Sequence, residues 1–286
     1  MNLIVGSLIV TFSVFGGFVL HGGQLLAIWQ PYEVLIIGGA AFGAFMIANP
    51  NKVIGKVFKS IPALMGGAKY SKEHYMQLLA LMFELFGKIR KEGLMSIEAD
   101  IEDPNASPLF SKYPKVVSDH HAVDFICDYM RLVVGGSMNA FELENLMDVE
   151  LATHHEESEE PSHAVNRVAD ALPGFGIVAA VLGIVNTMGS LDGPIEVIGA
   201  KVAAALVGTF LGILLAYGFV GPMSTALERR AQEEAKFMAC IKVCILANIQ
   251  GYNPPVAVEF GRKAMASDMR PSFQELETHL RNAKEG

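Results

Sequence analysis

Hydrophobic and polar positions divide this chain into long apolar runs and mixed, charged blocks. Four runs carry no Asp, Glu, Lys or Arg: residues 3–20, 34–49, 172–191 and 202–227. At about 1.5 Å rise per residue, a helix of roughly 18–20 residues crosses a hydrocarbon core near 30 Å thick. Each run is therefore predicted to span a membrane as a helix, the second with help from its flanks. Nothing basic precedes Leu3, and no small-x-small cleavage site follows through His21-Gly22-Gly23-Gln24, so the first run reads as a retained span.

The order is two spans, a long gap, and two more. The link at 21–33 has no Lys or Arg, and the link at 192–201 has only Lys201 at its end. Lys52, Lys56 and Lys59 follow the second span, and Arg229, Arg230 and Lys236 follow the fourth. Basic residues stay on the cytoplasmic side, which places both large blocks and the N-terminus there.

The gap reads as helices. Tyr75, Leu78, Leu79, Met82, Leu85, Phe86 and Ile89 repeat at three and four, and Gly93 is placed to end that helix. A second helix is predicted over 116–134, and a third from Asn139, an N-cap residue, through Leu151. After the fourth span the pattern stays helical over 223–249, breaks at Gly251-Tyr252-Asn253-Pro254-Pro255, and resumes in short pieces. The expected fold is an all-α integral membrane protein with four transmembrane helices, a large cytoplasmic helical domain between spans 2 and 3, and a helical cytoplasmic C-terminus. Its segments are 1–50 (spans 1 and 2), 51–170 (cytoplasmic), 171–227 (spans 3 and 4) and 228–286 (cytoplasmic).

Composition agrees and removes several classes. The 286 residues are 51% hydrophobic and 18% charged, where a soluble chain carries about a quarter charged. A net charge of -8 gives no basic footprint for nucleic acid. Cys127, Cys240 and Cys244 form no CxxC pair and read as reduced packing residues. Asp119-His120-His121 with Asp124, and the run from His154-His155 through Glu160 to His163, lack HExxH spacing and read as solvated acidic surface, not as a metal site. No phosphate-binding lysine motif, GxSxG elbow or cysteine nucleophile pattern occurs, so neither an enzyme nor a bound cofactor is expected.

Moving a cation across a bilayer calls for an ionisable side chain near the midplane. The four runs offer weakly polar residues instead, among them Thr11, Ser13, Asn186, Thr187, Ser190, Thr209 and Tyr217. A partner helix would have to bring the carboxylate. Small residues form stripes at helical spacing: Gly176, Ala180, Gly183 and Thr187 in the third span, and Ala204, Gly208, Gly212 and Ala216 in the fourth. They pack the spans within one subunit or face another subunit, and Gly39 and Gly43 in the second span leave the same choice. Pro173 is suited to start the third span, and Pro222 is a tolerated kink or a hinge.

Two motifs then converge. The run Leu172-Pro173-Gly174-Phe175-Gly176 to Gly183, with Val207-Gly208-Thr209-Phe210-Leu211-Gly212 to Phe219, resembles the A subunits of flagellar motor stators in the MotA/TolQ/ExbB proton channel family. The tail 254–263 with Arg270-Pro271-Ser272-Phe273 matches that branch and separates it from the three-span TolQ and ExbB energisers. The resemblance implies a stator subunit in the bacterial inner membrane, forming a ring of five around a MotB pair whose spans supply the aspartates. It implies roles in coupling for Pro173 and Pro222, a place in the ion path for Thr209, and protons as the coupling ion, because sodium-driven relatives carry Thr where this chain has Ala180. It also assigns contact with the rotor protein FliG to Arg90 and Glu98. Read alone, Arg90 belongs to a basic cluster at a helix C-terminus and Glu98 to an acidic stretch, both ordinary solvated charge. The competing readings are an energiser of outer-membrane processes and a non-conducting membrane scaffold, surrounded like any such protein by membrane lipids.

Overall fold

Helix ends in this chain are set by Pro, Gly and Asn. The structure, a computed structural model, describes residues 2–136, 138–189 and 192–285, and among these every regular element is helical. The principal helices are α1 (Asn2–Leu20), α2 (Pro31–Ala48), α3 (Asn51–Ala63), α4 (Lys72–Glu92), α5 (His120–Gly135), α6 (Ala140–Met188), α7 (Ile195–Leu215), α8 (Gly221–Ile249), α9 (Pro254–Ala264) and α10 (Phe273–Glu285). Four segments are long and apolar enough to cross a membrane: Asn2–Leu20, Leu25–Ala48, Ala140–Met188 and Ile195–Ile249. The all-helical, four-span architecture is as the hydrophobic pattern predicts. Ser190 and the end of the third apolar run fall outside the described residues.

Local chemistry explains most boundaries. Gly93, at φ +90°, ends α4 in a backbone conformation that favours glycine. The Asn139 side chain accepts hydrogen bonds from the Phe141 and Glu142 N–H groups at 3.0 Å, while Glu142 reaches back to the Asn139 N–H at 2.9 Å. Asn253 caps α9 by accepting from Val256 N–H at 3.1 Å, and Pro254 occupies the first turn.

Three expectations are corrected. The predicted 116–134 helix is broken: a one-turn helix Pro114–Val117 stops, and Asp119 starts α5 by accepting from the Ala122 N–H. An N-cap aspartate outcompetes continuation because its side chain satisfies an otherwise orphaned donor. Pro173 does not start a helix, because α6 runs unbroken through both Pro161 and Pro173. A proline removes one backbone hydrogen bond, and buried neighbours such as Ala164, Ala169 and Leu172 hold the helix across the gap. Finally, α2 begins at Pro31, so Glu33 lies inside a membrane-capable helix that the apolar run had ended at Val34.

The chain divides into two compact units. The first comprises Met1–Gly67 and Ser158–Arg230, and the second Ala68–Glu157 and Ala231–Gly286. Residues 51–67 and 158–170, outside the apolar runs, thus belong to the unit that holds the spans. In that unit no residue of α1 is buried, and Leu8, Ile9 and Phe12 are among its exposed apolar side chains. A helix left apolar and uncovered is what lipid contact requires.

The second unit folds around α4. Leu78, Leu79, Leu81, Met82, Leu85 and Phe86 are fully buried there, joined by Phe110, Phe125, Tyr129 and Phe237. Phe237 stacks on Tyr70 with ring centroids 4.2 Å apart and meets Tyr75 edge-on at 5.2 Å. All three cysteines are free and buried, as their spacing predicted, and Cys240 donates to the Gly261 carbonyl at 3.3 Å. Gly261 has no room for a methyl group, which would collide with Cys244 Sγ and lie 2.8 Å from Leu79.

Candidate ion path and charged contact surface

In the membrane unit, the small-residue stripes of α6 and α7 meet backbone to backbone. A methyl group on Gly176 would lie 2.9 Å from the Gly208 carbonyl oxygen, and one on Gly212 only 2.6 Å from that of Leu172. One on Gly183 would lie 2.8 Å from the Ala205 Cβ. The open choice for these two stripes is settled in favour of packing within the chain. Gly39 and Gly43 differ, since nothing lies within 4 Å of a methyl group on either.

Thr209 adjoins this contact, its Cα 3.4 Å from where a Gly176 methyl would sit. Thr11 and Thr187 each donate to the carbonyl four residues back at 2.8 Å, the usual fate of a threonine in an apolar helix. The half-buried Thr209 hydroxyl makes no hydrogen bond among the described residues. It is open to a partner. Ala180 is half-buried on α6, and its backbone nitrogen lies 3.2 Å from a methyl group placed on Gly208. The structure thus brings Ala180 and Thr209 to one contact, while Pro173 lies earlier on α6 and Pro222 on α8, beyond the end of α7.

The carboxylate of Glu33 reaches the same contact. Its Oε2 would be 3.2 Å from a Gly208 methyl, the residue is 7% exposed, and Oε2 accepts no hydrogen bond. The expectation that the spans bring no carboxylate is therefore wrong for α2. Counting only uncharged runs missed Glu33; Pro31, a residue suited to the first turn of a helix, was the available signal.

Pro222 is exposed and follows a widened helical turn over Ala216–Val220, where the Gly221 N–H donates to the Ala216 carbonyl five residues back. Proline lacks the N–H that the regular pattern needs, and a π turn is one way a helix absorbs the mismatch. Two residues on, Ser224 and Ser162 exchange hydroxyl-to-carbonyl hydrogen bonds at 3.0 and 3.2 Å, both side chains buried. These serines clamp α8 to α6.

In the second unit, Arg90 and Glu98 lie on either side of the Gly93 turn, both exposed and both without an ion pair or hydrogen bond among the described residues. Several charges around them are engaged, although Lys91 and Glu92 beside Arg90 are exposed and equally unpaired among the described residues. Lys88 donates to Asp100 at 2.7 Å, and the 6%-exposed Asp100 accepts from the Ser107 hydroxyl at 2.6 Å. Arg131 donates to Glu102 at 2.9 Å and to the Ile101 carbonyl at 2.8 Å. This lattice fixes the backbone that presents Arg90 and Glu98. A cleft of about 400 Å³ beside Arg90 is lined by Lys88, Lys91, Lys112 and Pro254 among others.

His120, His121 and His163 are exposed as expected, while His154 and His155 are half-buried. His121 and His154 meet edge-on with centroids 5.2 Å apart, and His154 lies 3.7 Å from Glu234. Burial holds the His154 imidazole below the usual histidine range, against the attraction of Glu234. Lys69 pairs with Glu234 at 3.1 Å and Asp119 at 3.3 Å, and Tyr70 donates to Asp119 at 2.6 Å. Burial pushes the Asp119 carboxyl up, but Tyr70, Lys69 and the Ala122 N–H bring it below its ordinary range. No group of three or more His, Cys, Asp or Glu suited to a metal occurs among the described residues.

The profile of the Motility protein A N-terminal family matches residues 4–93, and that of the MotA/TolQ/ExbB proton channel family matches 119–239. Motility protein A of Salmonella typhimurium is 50% identical over 98% of this chain and 95% of its own length. This chain belongs to the motility protein A family. Two solved structures share its fold: C. jejuni MotAB (TM-score 0.78, 21% identity, covering 95% of this chain and 99% of that one) and the flagellar MotAB stator complex of Bacillus subtilis (0.75, 24%, 96% and 98%). A motility protein A is a membrane protein of the motor and proton channel class, not an enzyme.

The C-terminal motif that singled out the motility protein A branch turns out to be architectural. Arg262, 7% exposed, grips Glu259 through two hydrogen bonds at 2.6 and 2.7 Å and donates to the Pro271 carbonyl at 2.8 Å. That fork ties α9 to the segment leading into α10.

Proposed function

We propose that this chain is the A-type stator subunit of a bacterial flagellar motor, conducting protons with a MotB-type partner and turning the rotor. The carrying observation is the unequal state of its charges: Arg90 and Glu98 stand exposed and uncommitted, while Lys88, Asp100, Glu102 and Arg131 are engaged in holding them there. Exposed opposite charges suit a contact that forms and releases repeatedly, since such pairs are worth only about 0–1 kcal/mol each.

In this reading the partner's aspartate, neutralised by a proton, sits against the unbonded Thr209 hydroxyl beside Ala180. Change of charge there alters how α6 and α7 pack at Gly176, Gly208 and Gly212. Pro173 and the widened turn before Pro222 let the helices flex beyond the contact. Arg90 and Glu98 deliver the movement to FliG. A ring of five such subunits in the inner membrane, with both termini cytoplasmic and protons as the coupling ion, completes the proposal. The MotB complexes of the two structural relatives support the partner.

Deleting the gene in its host tests the reading. Flagellated but paralysed cells, restored by the wild-type gene, are expected; cells without flagella, or a transport defect across the outer membrane with normal swimming, contradict it.

A further inference from the structure

The buried Glu33 carboxylate has no part in the path described so far. Its setting is unusual. It lies in the first turn of α2, 7% exposed, with Oε2 accepting no hydrogen bond, and it forms no ion pair among the described residues. An unpaired, unsolvated polar group costs several kcal/mol in hydrocarbon, and a side chain retained at that cost in a membrane helix points to a function.

The helix faces around it carry no charged residue among the described residues. A methyl group on Gly208 would meet Glu33 Oε2, the Ala179 Cβ and the Ala180 nitrogen at 3.2, 3.1 and 3.2 Å, so the carboxylate enters the gap between α6 and α7 beside Thr209. Residues 176–184 and 204–212, the faces around that gap, contain no ionisable side chain. The titratable groups nearest in sequence on the three helices are Tyr32, Asp170 and Lys201, with Glu196 further towards the start of α7 and Tyr217 in the widened turn that follows it. The short helix Leu25–Ile28, which also packs on α7, has none. Gly208 thus has a second use beside close helix packing: the absence of a side chain leaves room for the carboxylate.

We infer that Glu33 is a second proton-carrying carboxylate of the ion path, supplied by this chain and acting ahead of the partner's. This inference rests on the proton-conducting reading above. The carboxylate takes a proton from a hydronium ion on the side of the 21–33 link, releasing water. It then gives that proton to the partner's carboxylate and returns to its ionised form. No bond other than O–H is made or broken, and charge balances at each step.

The test uses the whole complex, this chain with its partner, in vesicles carrying an imposed pH gradient. Wild type must conduct protons; if it does not, the stator reading itself fails and not the role of Glu33. With wild type conducting, Glu33→Gln keeps size and polarity but cannot titrate, and flux is expected to fall by about a hundredfold, the scale of a lost acid–base relay. Glu33→Asp should recover most of it and shift the dependence of flux on the pH of the proton-donating side. Flux in Glu33→Gln equal to wild type, with the same pH profile, overturns the inference. If Glu33→Gln fails to co-purify with its partner, wild-type complex is treated instead with a hydrophobic carbodiimide, which modifies protonated carboxyl groups, and Glu33 is mapped by mass spectrometry. Modification that declines as pH rises supports a titrating relay; no modification, or modification independent of pH, overturns it.

Discussion

The two compact units of this chain are held together by opposite means. In the membrane unit the buried apolar clusters are small, one of them built from Phe45, Val53, Val57, Ala164, Val165 and Leu227. Its closest contacts are glycine backbones, with one buried serine pair. In the second unit a single large core surrounds α4, and its rim is laced with ion pairs such as Lys242 to Asp148 at 2.6 Å. The solvent explains the difference. Lipid tails are as apolar as leucine, so side-chain burial gives membrane helices little advantage, and close backbone approach and scarce polar contacts take over. In water, each buried apolar side chain contributes about 1.5–3 kcal/mol.

Substitutions should therefore affect the two units in opposite senses. The largest effect is expected from Phe237→Ala, which removes a ring packed against Tyr70 and Tyr75 and should cost about 3–5 kcal/mol. Hydrogen exchange of the complete protein would show faster exchange confined to 68–157 and 231–286. Next comes Gly212→Val, the reverse change: its Cβ would lie 2.6 Å from the Leu172 carbonyl and should cost about 1–3 kcal/mol, read as loss of heat resistance in detergent. A large-to-small effect in the spans equal to that in the core would break the comparison.

Smaller effects sharpen it at the polar level. Lys69→Met leaves Asp119 and Glu234 without their shared cation and should destabilise the second unit by about 1–2 kcal/mol, by the same exchange measurement. The acid response has a definite sign. His154 is held below its usual range, so the folded form binds its proton less readily than the unfolded chain; its share of stability is complete above about pH 6.5 and is lost as pH falls through its lowered value. The Asp119 share, from a depressed carboxyl, disappears only in stronger acid. His154→Gln should abolish the first loss and leave the second. Smallest is Arg90→Ala, expected within about 0.5 kcal/mol of wild type, because an exposed side chain without partners holds nothing in place.

Where the sequence could be read, one physical signal was dominant and local. The runs of uncharged residues located the spans, the α4 periodicity its buried face, and Asn139 and Gly93 their helix ends. Where it could not, the deciding partner lay far along the chain or two local signals competed. Asp119 looked like part of a histidine cluster until Tyr70 and Lys69 were found beside it. Pro173 has the local look of a helix start, and only packing of its neighbours keeps α6 continuous. Glu33 was excluded by the rule that charge ends a span, although Pro31 marks the true start of the helix. Arg90 and Glu98 were visible as charges, but their freedom became meaningful only when Lys88 and Asp100 were seen to be engaged.

The proposed division of labour puts ion conduction at the α6–α7 contact and force delivery at Arg90 and Glu98. Its most direct test is proton flux and rotation measured together for Arg90→Glu, in cells lacking the native gene and with the partner co-expressed. The account predicts that rotation stops while assembly and proton flux stay at wild-type levels. Normal rotation in Arg90→Glu, or loss of flux along with rotation, would contradict it.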